Sequence, residues 1–177
     1  MTASEPPRSP SARGLPESVP GADRGRTDYA GAVYGSLLAA SVIAASDVKG
    51  PHARLSIIVL LVVTGLVFWL AHVYAHVAGE REAGKTVSWQ QARRIGRHEW
   101  SIVEAAVLPA LAVLVSPWLG KADEAWLALG VAITQQVVWA TLGARRAGAS
   151  KQQIAVEAAV NLALGLLIVV AKVAVGH

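Results

Sequence analysis

The chain has no cysteine, and its one methionine is Met1. Disulfides, thiolate metal sites, cysteine nucleophiles, lipid attachment through cysteine and a thioether copper site are therefore excluded. Charge is scarce as well. Asp, Glu, Lys and Arg make up 16% of the 177 residues against 54% hydrophobic, which is too apolar for an ordinary soluble domain. The first 28 residues lack any apolar run, whereas a secretory signal needs about 7 to 15 such residues. They hold five of the eight prolines and mixed charge, and are expected to form a disordered cytoplasmic tail, 1–28, with the chain retained whole.

What is present is five apolar stretches, read as an all-α integral membrane bundle over 29–177 with spans at about 30–46, 55–78, 102–119, 125–142 and 154–175. The basic residues between them alternate in number. One side receives Arg8, Arg13, Arg24 and Arg26, then Arg81, Lys85, Arg93, Arg94 and Arg97, then Arg145, Arg146 and Lys151. The other receives only Lys49, Arg54, Lys121 and Lys172. Loops this short with such an imbalance place the N-terminus in the cytoplasm and the C-terminus outside the cell membrane. The same placement assigns the basic charge to topology and anionic lipid, so nucleic acid is not an expected partner.

Within the spans, small and polar residues carry the information. Gly31 and Gly35 form a G-x-x-x-G pair that suits close helix packing, within the chain, with a second copy or with a partner membrane protein. In span three, Pro109 releases a backbone carbonyl and permits a kink. In span four, Gln135 and Gln136 point about 100° apart, so at least one should meet another helix. His72 and His76 lie one turn apart with Glu80 beyond, a spacing that can share a divalent metal. Glu104 and Glu157 enter at similar depth from spans three and five, with Gln135, Gln136 and Asn161 nearby in the same half. An interior space lined by His72, His76, Glu104 and Glu157 would hold a divalent ion or pass protons. If instead these residues serve helix contacts and helix ends, no metal or other cofactor is implied.

Between spans two and three, SWQQARRIGRHEW reads as a short amphipathic interfacial helix starting at Ser88, with Arg93, Arg94 and Arg97 within reach of anionic headgroups. His98 and Glu99 form an H-E pair, but Ile102 stands where H-E-x-x-H needs its second histidine. No serine nucleophile elbow or catalytic aspartate pair is present either, so an enzyme is not expected. The segments FWLAHVYAHVAGE and RHEWSIVEAA, with the Pro-rich tail and the Ala, Val, Gly and Arg bias, resemble small uncharacterised multi-pass membrane proteins of actinobacteria. That resemblance implies no catalytic residue. The five-span outline is also similar to the vacuolar iron transporter family, but the acidic residues of that family's first span have no counterpart before Asp47, and the connection after span two is basic. A structural or accessory membrane protein is the first expectation. A small cation or proton transporter or channel, using the His and Glu residues, is the alternative.

Overall fold

The computed structural model describes residues 29–46, 52–79, 88–119 and 124–175. The 1–28 tail, Glu80, Lys49 and Lys121 lie outside the described residues. Those described are helical, with no strand among them: α1 Tyr29–Ala45, α2 Ala53–Gly79, α3 Trp89–His98, α4 Ser101–Glu104, α5 Val107–Val115 with a closing 3-10 turn at Ser116–Leu119, α6 Glu124–Arg146 and α7 Lys151–Val175. Four helical runs are long and apolar enough to cross a membrane: 53–79, 89–118, 124–146 and 151–175. The expected first span is the shorter apolar helix α1, of 17 residues.

Local chemistry sets the ends. Ser88 Oγ accepts the Gln91 N–H at 3.2 Å and starts α3. Gly148, at φ 77°, closes α6 in the left-handed conformation that glycine tolerates. Ser150 and Gln153 then cap α7 reciprocally, with bonds of 2.8 and 3.3 Å. The interfacial helix is not separated from span three. α3 runs through short breaks at 99–100 and 105–106 into α4 and α5 as a 30-residue apolar run. Trp69 Nε1–H holds α3 to α2 by donating to the Gly96 carbonyl at 2.8 Å.

Contacts at the ends show how the helices alternate in direction. At one end, Tyr29 of α1 packs on Trp139 of α6, the rings 5.9 Å apart, and Tyr34 packs on His72 of α2 at 5.0 Å. At the other, Arg54 of α2 pairs with Glu124 of α6. There too Lys172 of α7 donates to the carbonyls of Ile43 and Ala44, at 3.4 and 3.2 Å, capping the last turn of α1 rather than snorkelling outward. The core gathers Ala39, Ala40, Ile43, Leu61, Val113 and Leu129 around α1 and α6. Gly35 explains how close the helices come. A Cβ there would lie 2.7 Å from the Ile102 carbonyl oxygen and 2.8 Å from Ala105 Cβ, so α1 touches the backbone of the α4 segment through bare glycine. Gly31 is buried on the same helix face.

Candidate functional site

Two polar groupings stand out, and they differ in depth. The first lies at the middle of the bundle. Pro109 has no N–H, so the Ala105 carbonyl four residues back loses its helical donor. Gln135 of α6 supplies one: its Nε2 donates to the Ala105 carbonyl and to Ser36 Oγ, each at 3.0 Å. Ser36 Oγ in turn donates to Ala32 O at 2.8 Å. One amide thus joins α1, the α4–α5 break and α6, and both of its acceptors require the NH2 group to face them. Gln136 points the other way. Its Nε2 donates to Asn161 Oδ1 at 3.2 Å and to the Asn161 carbonyl at 3.3 Å, while Asn161 Nδ2 donates to Glu157 O at 2.9 Å. The Oε1 atoms of Gln135 and Gln136 are buried and have no hydrogen-bond partner among the described residues. A buried carbonyl left so costs about 1–3 kcal/mol, which offsets part of what the donated bonds contribute.

The second grouping lies at the Tyr29 end of α2. His72 Nδ1 is 3.2 Å from Phe68 O, and His76 Nδ1 is 3.1 Å from His72 O. A carbonyl only accepts, so in both rings Nδ1 is the donor. The ring of His76 therefore repeats that of His72 one helical step on. Four residues rise about 6 Å, whereas two nitrogens on one zinc ion are at most about 4.2 Å apart, given bonds of about 2.0–2.1 Å. In this posture the pair is not set to chelate. Beside it stands Glu99, a buried carboxylate with Oε1 3.6 Å from His76 Nδ1. Trp69 and Trp100 meet edge to face at 5.4 Å on the same side.

The structure does not gather the four residues expected to line one space. His72 and His76 stay on α2, whereas the Glu104 and Glu157 side chains are exposed on α4 and α7. No group of three or more His, Asp or Glu among the described residues is placed to hold a metal ion. Gln136 and Asn161 do meet in the interior, joining α6 to α7, while Gln135 joins α6 to α1 and the α4–α5 break. Sequence reasoning missed three participants: Ser36, Ala105 and Glu99. Ala105 was traceable, because Pro109 names the carbonyl it orphans; Ser36 was not, since its part depends on which helix faces Gln135. Glu99 was not, since its burial depends on how α3 folds back on α2.

Comparison with family models, with curated proteins and with solved structures finds no match to this chain.

Proposed function

We infer that this is a five-span protein of the cell membrane, N-terminus in the cytoplasm and C-terminus outside, acting as a structural or accessory component rather than as an ion carrier. The observation that carries the functional half is the use made of mid-depth polar side chains. Ser36, Gln135, Gln136 and Asn161 hydrogen-bond helix to helix, which is how polar groups join membrane helices. A crevice between α1, α2 and the α4–α5 region measures only about 10 Å³, too little to hold a chain of waters. Five crossings are supported by α1 itself. Its 17 residues span about 25 Å, close to the ~30 Å hydrocarbon core; its Tyr29 end meets Trp139 and Gly143 of α6, and its other end meets Lys172 of α7. Orientation is supported by Arg93, Arg94, Arg97, Arg145, Arg146 and Lys151 lying at the Tyr29 end, against Arg54 and Lys172 at the other.

Two assays test this reading. A reporter fused after Gly79 or Gly148 should report cytoplasm, and one fused after Gly120 or His177 should report the exterior; a cytoplasmic His177 would remove one crossing. Purified protein in vesicles loaded with pH- and zinc-sensitive dyes should leak protons and zinc no faster than protein-free vesicles. Flux above that baseline that is lost in His76→Ala would establish the transporter reading instead.

A further inference from the structure

A groove of about 530 Å³ runs along the outward side of α6, walled on the α5 side by Leu108. Its floor is Gly130, where an added Cβ would meet no atom within 4 Å. Trp126 and Trp139 stand towards its two ends, 13 residues or about 20 Å apart along the helix. The Thr134 hydroxyl, which also lines it, is already bonded to Gly130 O at 2.8 Å and offers no free donor. Gln135 also borders it, with its amide nitrogen turned to Ser36 and Ala105, and the rest of the lining is apolar. The groove volume falls within the roughly 300–1,000 Å³ of sites that hold one small organic molecule. The stripe that forms it does not stop at Trp139. Thr134 is followed on the same helix face by Val138 at i+4 and by Arg145 at i+11, with Arg146 beside it, both arginines exposed.

We propose that this groove and Arg145 form a lipid site, which takes one anionic phospholipid with an acyl chain along Gly130 and its phosphate at Arg145. Length and charge choose the occupant together. An elongated hydrocarbon matches a channel about 20 Å long and lined mostly by apolar side chains. A guanidinium a little under two turns beyond the last lining residues meets a phosphate with paired N–H donors. Arginines between membrane helices on the basic side of a protein recognise anionic headgroups in this manner. A helix from a second copy would fill the groove but would set Arg145 against the partner's Arg145 in a two-fold pair, like charge on like. The site rests on the membrane location of the bundle and not on the accessory role, so its failure would leave that role standing.

The test uses the full chain purified in mild detergent and incubated with phosphatidylglycerol or phosphatidylcholine, with bound lipid counted by native mass spectrometry. The wild type should retain one phosphatidylglycerol per chain, at least tenfold in preference to phosphatidylcholine. Gly130→Leu, whose Cβ enters open space at the floor, should lower retention of both lipids tenfold or more while leaving the melting temperature of lipid-free protein unchanged. Val138→Phe repeats that test from a second position should Gly130→Leu fold poorly. Arg145→Gln should retain a lipid but lose the preference. Equal retention of both lipids by the wild type, wild-type retention in both groove variants, or a dimer that Gly130→Leu dissociates would each overturn the proposal.

Discussion

Helices α1 and α2 are equally apolar on average, yet α1 buries seven of its 17 residues and α2 three of its 27. Hydrophobicity does not separate them; side-chain size does. α1 is built from Gly, Ala and Ser, so neighbours approach its backbone. α2 carries Leu, Val and Ile on most sides and meets the bundle through one narrow row, Ile57, Leu61 and Gly65. In hydrocarbon, burying Leu against protein replaces contact with lipid tails that are just as apolar, so the hydrophobic effect does not draw helices together. Close contact and hydrogen bonds between helices do. α6 completes the same logic, because its glutamines face α1 and the α4–α5 break on one side and α7 on the other.

That contrast can be broken most sharply at Gly35. Gly35→Leu forces a side chain into the Ile102 carbonyl and should destabilise the protein by about 3 kcal/mol or more, since backbone cannot yield as a flexible side chain would. Val63→Ala on the exposed side of α2 should stay within about 0.5 kcal/mol. Unfolding in detergent measures both, and equal losses would refute the distinction between the helices.

Gln135→Leu comes next. It strands the Ala105 carbonyl opposite Pro109 and removes the link to Ser36, and a loss of about 1–2 kcal/mol is expected. Gln136→Leu should cost less, about 0.6 kcal/mol, because its bonds to Asn161 are longer and join only two helices. A larger loss at Gln136 than at Gln135 would shift the centre of the bundle from α1 to α7. Smallest of all, Glu104→Gln and Glu157→Gln should change stability by no more than about 0.5 kcal/mol, as both side chains are exposed. A large loss at either would show that the carboxylate is buried against a partner in the membrane.

Much of this was legible in the residues because bilayer thickness, helix rise and cap chemistry act locally. The expected span of 125–142 became Glu124–Arg146, and both Ser-initiated caps formed where S-x-x-Q stood. What resisted reading was azimuth. His72, His76, Glu104 and Glu157 share a similar depth, and depth follows from position along a helix. Whether their side chains converge depends on how each helix is rotated about its axis, which is set by contacts such as Gly35 on Ile102 and Gly165 on Ile133. Sequence spacing within one helix cannot supply that. Pro109 was a partial exception, for the carbonyl it frees is known by counting, and only the helix that satisfies it had to be found.

Mid-depth polar side chains in this bundle act by satisfying groups on neighbouring helices. A double-mutant cycle between Pro109→Ala and Gln135→Leu tests this most directly, with stability followed by reversible unfolding in detergent. Restoring an N–H at position 109 gives the Ala105 carbonyl a partner in its own helix. Gln135→Leu should then cost about 1 kcal/mol less in the Pro109→Ala background than in the wild type, within the range seen for coupled neighbours. Costs equal in both backgrounds, to within a few tenths of a kcal/mol, would show that Gln135 does not serve the carbonyl that Pro109 releases.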